Sequence, residues 1–485
     1  MEKIVVLGGN ELYGEIKIGG MKNSALPIIF ATILVEEECI IDNVPLVSDV
    51  FDALEILKEM GATVEFIDKH KVCINTTQLS SEIKGYDKIS KMRASSYLMG
   101  TMLARYKKAV LPMPGGCNFG VRPIEQHLNG FMTLGAYASE ENGYVSIEAK
   151  NNLKSTKITL DKISVGATIN IVLASVFLDG MTVIENVAIE PHVDDLIQFL
   201  NTCGAKILRY NRRIYCEGVK KLHGTTYKIY PDMIESLTYM AFLGVTKGDV
   251  TMTGINYEHI RYVSDIYHKM GYKIENYYDE IRVKVNSKLL GASINTAPYP
   301  LFPTDLHPQF SSLLCFTENG GIIKEEIFPT RFAYINELQK MGASIKREAN
   351  VAHIFPCKLK GAVVDATDLR AGASLVCASL GAIGESTINN VNYIVRGYED
   401  IVGKVASLGG KIKLIKGDTK MVVTKETIIG DVLDFNPETA QFFFEIGMHC
   451  LGCPHSRGEA IEDACRVHGT DADALVEKLN KFLSK

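Results

Sequence analysis

The chain has 485 residues, of which 46% are hydrophobic, and its formal net charge is −5. This length predicts two or three domains with sizeable cores. The slight acidity gives no reason to expect nucleic-acid or membrane binding, and no apolar run approaches the length of a membrane helix. Eleven irregularly spaced cysteines favour a reducing cytoplasm over a disulfide framework.

The first predicted strand covers residues 1–6, and no signal peptide precedes it, so we expect a cytoplasmic protein. The next strand ends at Gly19 and Gly20, and a helix should begin near Ser24. Lys22 therefore lies beside a helix N-terminus, which is a plausible phosphate site. A solvated lysine is the commoner alternative.

Six copies of one pattern organise most of the chain. Each has an amphipathic helix, a glycine placed to end it, and two strands around a polar turn. The glycines are 67 to 74 residues apart: Gly61, Gly135, Gly204, Gly271, Gly342 and Gly409. Such units indicate duplication, and two domains of three units each is the simplest packing. The period ends near Val423, so residues 424–485 should form a separate small domain.

A Gly-rich loop over residues 115–123 carries one thiol, Cys117, five residues before Arg122. Glycines leave the thiol uncrowded, and a nearby guanidinium favours the thiolate and binds anions. The loop therefore predicts an acid or nucleophile that meets an anionic substrate. A buried structural cysteine is the alternative interpretation.

Other candidate residues follow apolar runs at the ends of predicted elements. Asp305, in a Pro-rich loop, is suited to take a proton from a sugar hydroxyl, although turn aspartates are common. Backbone N–H groups around Ser164 to Gly166 are placed to hold a diphosphate. The candidate cations, each of which could instead form a surface ion pair, are Arg93, Arg331, Arg370 and Arg396.

Together these segments resemble the UDP-N-acetylglucosamine 1-carboxyvinyltransferase family of enolpyruvyl transferases over residues 1 to about 420. The motifs that carry the resemblance are Gly-x-Lys-Asn-x-x-Leu-Pro, Pro-Gly-Gly-Cys-x-x-Gly-x-Arg-Pro, Asp-Lys-x-Ser-Val-Gly-Ala-Thr, Phe-Pro-Thr-Asp and Arg-Gly-Tyr. The resemblance implies an inside-out α/β barrel, with two domains of three βαβαββ units each. Residues 1–21 and 231–423 should form one domain and residues 22–230 the other, with the active site between them.

The resemblance also implies the reaction. An enolpyruvyl group moves from phosphoenolpyruvate to the 3-hydroxyl of UDP-N-acetylglucosamine with release of phosphate, and no cofactor or metal takes part. This is the first committed step of peptidoglycan synthesis, on which cell shape and division depend. The partners are these two small molecules, without nucleic acid or membrane.

The resemblance assigns roles to individual residues. Cys117 matches the loop cysteine that donates a proton and that fosfomycin alkylates, and Asp305 matches the base on the sugar hydroxyl. The matched phosphoenolpyruvate contacts are Lys22, Arg93, Arg122 and Arg396, of which Lys22 and Arg396 are counted as catalytic. Arg331 and Arg370 match the remaining active-site arginines. The positions matched to the sugar nucleotide are Asn23, Arg122, Pro123, Ile124, Lys162, Ser164, Val165, Gly166 and Ile327.

Some positions depart from the family pattern, and two alternatives stay open. One is another enolpyruvyl transferase, such as the shikimate-phosphate enzyme, although that family lacks the loop cysteine. The other is a non-catalytic or divergent paralogue that acts as a sensor or scaffold through its C-terminal dithiol. The departures are Phe51, Glu125, Met233, Thr330, Tyr393 and Val395.

Residues 424–485 resemble a small family built around a Cys-x-x-Cys, here Cys450 and Cys453. Ser456 to Glu459 predicts a capping box that starts a helix carrying Cys465 and His468. We expect a redox dithiol with a redox partner. A zinc or iron–sulfur site is less favoured because the spacing of the second pair is irregular. An interaction module with inert thiols is the other alternative.

Overall fold

The fold is described from a computed structural model of residues 2–115, 124–416, 421–448 and 454–483. The chain divides into two compact units, residues 2–415 and residues 416–485. None of the helices within the described ranges is both long and apolar enough to span a bilayer.

The strands are short and lie almost entirely in the larger unit. In chain order the described strands are β1 (Glu2–Leu7), β2 (Leu12–Lys17), β3 (Glu38–Asp42), β4 (Thr63–Asp68), β5 (Lys71–Asn75), β6 (Lys108–Pro112), β7 (Tyr137–Glu141), β8 (Tyr144–Glu148), β9 (Lys157–Thr159), β10 (Met181–Glu185), β11 (Lys206–Tyr210), β12 (Arg213–Glu217), β13 (Thr225–Lys228), β14 (Gly248–Thr253), β15 (Lys273–Tyr277), β16 (Glu280–Val285), β17 (Ile294–Asn295), β18 (Gly321–Lys324), β19 (Ser344–Glu348), β20 (Val351–Phe355), β21 (Val363–Asp365), β22 (Glu385–Asn389) and β23 (Lys411–Lys416).

The helices alternate with these strands and then make up the smaller unit. The described α-helices are α1 (Lys22–Ala31), α2 (Ser48–Glu59), α3 (Tyr86–Lys91), α4 (Tyr97–Tyr106), α5 (Glu125–Thr133), α6 (Val165–Ser175), α7 (Pro191–Thr202), α8 (Met233–Thr246), α9 (Tyr257–Met270), α10 (His307–Leu314), α11 (Tyr334–Lys340), α12 (Leu369–Gly381), α13 (Val391–Ile394), α14 (Ile401–Ser407), α15 (Ile429–Phe435), α16 (Ala440–Glu445), α17 (Pro454–Arg457), α18 (Ile461–His468) and α19 (Ala472–Leu483). Three short 3₁₀ helices cover Thr32–Leu34, Arg93–Ser96 and Pro437–Thr439.

The described strands form six small sheets, in keeping with the six predicted units. In β11–β12–β10–β9, an antiparallel hairpin is extended by β10, and β9 then runs parallel to β10. The other orders are β13–β3–β5–β4, β6–β8–β7, β15–β16–β14–β2, β17–β18–β20–β19 and β21–β22–β1–β23.

The six repeat glycines end helices as the sequence predicts. Each follows an amphipathic helix, and all six have φ between +92° and +111°, a left-handed conformation that glycine adopts without a Cβ penalty. The helices they end are α2, α5, α7, α9, α11 and α14.

Two large hydrophobic cores lie in the larger unit. Buried apolar residues between Ala25 and Ile229 form the 25–229 core. Those between Met233 and Ile412, joined by Ile4 to Met21, form the 233–412 core. Each surrounds three helices that are buried on almost every side: α1, α4 and α6 in the first, and α8, α10 and α12 in the second.

The chain crosses between these two cores twice, at one place. β1 and β2 pair with the late strands β22 and β14, whereas β13 returns to pair with β3. At the crossing, the Met21 N–H donates to the Tyr230 carbonyl at 2.8 Å, and the Asp232 N–H donates to the Gly19 carbonyl at 2.9 Å.

The smaller unit is helical around its own core. Val423 belongs to that core, and its backbone N–H and carbonyl are both hydrogen-bonded to the side chain of Asn480.

The predicted capping box in this unit is wrong. Ser456 lies inside the short helix α17, and the helix carrying Cys465 and His468 is α18, whose N-cap is Ala460. Pro454 explains the difference, because proline has no N–H to lose at the first helical position and starts α17 there.

Candidate active site

One buried carboxylate joins two of the predicted catalytic cations. Asp49, on the first turn of α2, accepts from Lys22 Nζ at 3.0 Å and from Arg396 Nε at 2.8 Å. Lys22 lies on the 25–229 side of the molecule and Arg396 on the 233–412 side. Asp49 therefore brings together two cations that are far apart in sequence.

Electrostatics favour the charged form of this carboxylate. Burial alone would raise the pKa of Asp49, but Lys22 and Arg396 outweigh it and hold that pKa below its ordinary value. Two more bonds tie the same region: the Ser48 N–H donates to the Val395 carbonyl at 3.3 Å, and the Leu46 N–H donates to Glu399 at 3.0 Å. The Asp49 ion triad is thus part of a continuous contact between the two sides.

A second group of charges surrounds Asp305. Its carboxylate accepts from Arg331 Nη1 at 2.8 Å and from Arg370 Nη2 at 3.2 Å. Both arginine side chains are only 3% exposed, whereas Asp305 is 31% exposed. The Asp305 carboxylate thus reaches solvent while its two cationic partners are buried.

The two groups are linked through the Arg-Gly-Tyr motif. The Arg370 guanidinium lies 5.2 Å from the ring centroid of Tyr398, two residues beyond Arg396. Burial opposes the charge of Arg370, but Tyr398, Asp305 and Asp232 together raise its pKa above the ordinary value. Arg370 therefore stays cationic although it is buried.

A third group lies at the start of α6. Ser164 is the N-cap of this helix, and its side chain accepts from the Ala167 N–H at 3.3 Å. A Cβ on Gly166 would lie 2.8 Å from the buried His127 ring, so a side chain there would close this approach to the helix start. Burial, with Arg93 nearby, lowers the pKa of His127 to about 3.

The remaining predicted residues fall around these groups. Lys162 is exposed, and its N–H donates to Gln126 at 3.1 Å, while Ile124 is the buried N-cap of α5. Arg93 Nη1 donates to the Pro114 carbonyl at 3.4 Å. Asn23 is half-buried on α1, and its amide has no hydrogen-bond partner among the described residues.

Some predicted residues lie outside the described ranges: Cys117, Arg122, Pro123, Cys450 and Cys453. Within those ranges, no group of three or more His, Cys, Asp or Glu side chains is arranged to hold a metal ion.

The departures from the family pattern are placed as follows. Phe51 is 42% exposed on α2, with its ring centroid 6.1 Å from that of Phe66. Met233 is buried at the start of α8. Val395 exposes its side chain and uses its carbonyl in the contact with Ser48.

Sequence reasoning missed Asp49, Glu325 and Asp368. Asp368 caps α12 by accepting from the Arg370 N–H at 2.9 Å. The only sequence signal for Asp49 is an acid at a helix start, where it would be expected simply to favour the helix dipole.

Comparison with known proteins decides the family. The family model described as EPSP synthase (3-phosphoshikimate 1-carboxyvinyltransferase) matches residues 6–405. The chain belongs to this family of enolpyruvyl transferases. A second model, a domain of unknown function (DUF1858), matches residues 423–476.

Curated relatives cover the enolpyruvyl transferase part of the chain. UDP-N-acetylglucosamine 1-carboxyvinyltransferase 3 of Caldanaerobacter subterraneus subsp. tengcongensis is 43% identical over 418 residues, which are 86% of this chain and all of the relative. The UDP-N-acetylglucosamine 1-carboxyvinyltransferase of Clostridium botulinum is 42% identical over 415 residues, 85% of this chain and 99% of the relative.

Solved enolpyruvyl transferases share the fold. NikO from Streptomyces tendae superposes with a TM-score of 0.78 at 22% identity, over 85% of this chain and 98% of its own. EPSP synthase from Acinetobacter baumannii gives 0.64 at 18% identity, over 86% and 100%. The predicted inside-out α/β barrel is confirmed.

Proposed function

We propose that this enolpyruvyl transferase moves the enolpyruvyl group of phosphoenolpyruvate to the 3-hydroxyl of UDP-N-acetylglucosamine and releases phosphate. The reaction is the first committed step of peptidoglycan synthesis. The observation that carries the proposal is the 43% identity with a relative of that name over the relative's whole length. The Asp305 and Asp49 groups supply the charges that the reaction needs.

The chemistry divides between the two groups. C3 of phosphoenolpyruvate takes a proton from Cys117, and the sugar hydroxyl attacks the resulting cationic C2 while Asp305 takes the hydroxyl proton. The tetrahedral intermediate then expels phosphate and returns a proton from its C3 methyl group to the Cys117 thiolate, which restores the C2–C3 double bond of the enolpyruvyl product. Lys22 and Arg396, with Arg93 and Arg122, neutralise the phosphate and carboxylate charges.

In this proposal three sets of groups bind the sugar nucleotide: residues along the uridine, residues along the diphosphate, and the side-chain amide of Asn23. Asn23 binds the sugar, and its unpartnered amide supports that role. The start of α6, with Ser164 as its cap, offers N–H groups to the diphosphate. The residues assigned to the uridine strip, the diphosphate strip and the remaining contacts are Arg122, Pro123, Ile124, Lys162, Ser164, Val165, Gly166, Ile327, Arg331 and Arg370.

Catalysis with UDP-N-acetylglucosamine as the acceptor is favoured over the two alternative functions, a shikimate-phosphate enzyme and a non-catalytic paralogue. The relatives that match at 40–43% identity carry the sugar-nucleotide name, which argues against shikimate phosphate as acceptor. The Asp49 and Asp305 groups have the charged residues that a sensor or scaffold would not require.

We assign the chain to three domains. Residues 1–21 with 231–423 form one catalytic domain, residues 22–230 form the other, and residues 424–485 form the third. We assign the protein to the cytoplasm.

Acceptor-dependent phosphate release tests the function. The purified protein should release phosphate from phosphoenolpyruvate when UDP-N-acetylglucosamine is added, and not with shikimate 3-phosphate or without acceptor, because the acceptor hydroxyl must attack before phosphate leaves. A continuous phosphate assay measures this. A folded protein that binds the nucleotide but releases no phosphate would establish the non-catalytic alternative.

We assign Cys450 and Cys453 to a reversible disulfide that exchanges with a redox partner. Pro454 follows Cys453 directly and begins α17. The short spacing of the two thiols suits disulfide exchange. A zinc or iron–sulfur site would have to include Cys465, which is buried, and His468 as ligands in addition to these two cysteines.

Removing the smaller unit should leave the transferase active. A chain ending at Lys416 keeps β23 paired in its sheet and retains the two large cores, so we expect phosphate release within twofold of the full chain and loss of the dithiol. Thiol trapping in glutathione buffers, with metal analysis of the same sample, measures the dithiol. Stoichiometric zinc or iron that protects these thiols would contradict the dithiol, and loss of activity would contradict the independence of the core.

A further inference from the structure

The side chain of Glu325 is completely buried beside the Asp305 loop. It stands in a charged run, Lys324-Glu325-Glu326, directly after β18, yet its exposed fraction is 0%. Glu326, the next residue, is 44% exposed. A carboxylate is rarely buried unless it is paired or hydrogen-bonded, so the neighbours of Glu325 account for its position.

One oxygen of Glu325 holds the backbone of the following loop. Oε1 accepts from the Ile327 N–H at 2.7 Å and from the Phe328 N–H at 2.8 Å. These amides begin the loop that ends at Arg331. The carboxylate therefore fixes where Ile327 and Arg331 stand.

The other oxygen acts on the loop that carries Asp305. The Thr304 hydroxyl donates to Glu325 Oε2 at 2.9 Å. Arg331 Nη1 donates to the carbonyl and the hydroxyl oxygen of Thr304, both at 3.2 Å, and to Asp305 at 2.8 Å. One continuous network thus runs from Glu325 through Thr304 and Arg331 to Asp305.

We propose that Glu325 is a positioning residue that sets Asp305 and Ile327 in register for the sugar nucleotide. The inference rests on the proposed function, in which Asp305 receives the hydroxyl proton and Ile327 contacts the nucleotide. A displacement of about 1 Å in such a group costs about 100-fold in rate. Phosphoenolpyruvate is met mainly by Lys22 and Arg396, which lie outside this network.

Glutamine at position 325 disrupts the network without changing the size of the side chain. The ionised carboxyl group accepts at both oxygens, whereas an amide has one acceptor and one donor group. If the amide oxygen faces Ile327 and Phe328, its NH₂ group faces Thr304, and the hydroxyl hydrogen of Thr304 loses its acceptor. In the opposite orientation the NH₂ group faces the two N–H donors, so either orientation of the amide breaks at least one of the hydrogen bonds that the carboxylate accepts.

The first measurement separates the two substrates. In Glu325→Gln, kcat should fall because Asp305 is displaced, and KM for UDP-N-acetylglucosamine should rise because Ile327 is displaced. We therefore expect kcat/KM for UDP-N-acetylglucosamine to fall about 10- to 100-fold, and more than kcat/KM for phosphoenolpyruvate. Glu326→Gln removes the same charge from the exposed neighbour and should keep both values. A general loss of folded protein would lower the two in parallel, and that outcome would overturn the inference.

The second measurement tests the link through Thr304. Thr304→Ser keeps the hydroxyl and should keep most of the activity, whereas Thr304→Val should show a loss of the same kind as Glu325→Gln. Because both changes break one network, the double variant should be little worse than Glu325→Gln alone. Additive losses, or an active Thr304→Val, would contradict the network.

The third measurement does not depend on turnover. Amide hydrogen exchange over residues 326–331 should be faster in Glu325→Gln than in Glu326→Gln, because a neutral amide oxygen accepts from the Ile327 and Phe328 N–H groups more weakly than the carboxylate does. Equal exchange in the two variants would overturn the inference. If the unsubstituted protein releases no phosphate, the proposed function fails, and exchange still decides whether Glu325 orders this loop.

Discussion

Replacing Asp305 by asparagine is expected to lower kcat about 10²- to 10⁴-fold, the usual contribution of general acid–base catalysis. The amide of Asp305→Asn keeps the size of the side chain but does not take the hydroxyl proton. UDP-N-acetylglucosamine binding should change much less, because the nucleotide strips are elsewhere. Phosphate release gives kcat, and calorimetric titration with the nucleotide gives the dissociation constant.

The same change should also lower stability, since Arg331 and Arg370 are buried and lose their shared counter-charge. We expect the free energy of unfolding to fall by about 2 kcal/mol, less than for a fully buried pair because Asp305 is partly exposed. Asp265→Asn, an exposed site on α9, is the matched control and should change neither quantity. An Asp305→Asn protein with more than a tenth of the parent kcat would rule out this base.

Replacing Asp49 by asparagine is expected to lower kcat/KM for phosphoenolpyruvate at least tenfold. Asp49 orients Lys22 and Arg396 by direct bonds, and without its charge the two cations repel each other. Removing one partner of a buried ion pair should also lower the free energy of unfolding by about 3 kcal/mol. Asp52→Asn, one turn along α2, is the control and should not destabilise, because burial and the charge of Asp49 raise the pKa of Asp52.

The stabilisation from Asp49 should depend on pH in one direction. The folded pKa of Asp49 lies below its ordinary value, so its stabilisation is present above the ordinary carboxyl range and is lost as the pH falls through the folded pKa. The difference in unfolding free energy between the parent and Asp49→Asn should therefore be constant near pH 7 and shrink below about pH 4.

The kinetic prediction for Asp49→Asn has its own contrary outcome. An unchanged or lower KM for phosphoenolpyruvate in this variant would mean that Asp49 competes with the substrate and does not orient Lys22 and Arg396.

Features with a local cause were predictable from the sequence. The conformation of the repeat glycines was predictable because a helix that ends in the left-handed region favours glycine. The spacing of these glycines predicted the six units. The resemblance located Asp305 and Arg396, but not the network between them.

Features with a distant cause were not predictable. Asp49 looks like an ordinary helix-start acid because its partner Arg396 is 347 residues away. Glu325 looks solvated because it stands in a charged run, and only the fold brings Thr304 to its second oxygen. The capping box failed for a local reason, since Pro454 competes with Ser456 for the helix start.

The double crossing of the chain near Gly20 has a mechanical consequence. Residues 19–21 and 230–232 run antiparallel and hydrogen-bond to each other, so the two connections form one ribbon instead of two separate tethers. A short ribbon of two hydrogen-bonded segments bends across its flat face more readily than it stretches. Any movement between the two large cores would therefore be guided about a single line, and Lys22, one residue beyond the ribbon, lies close to that line, where displacements would be smallest.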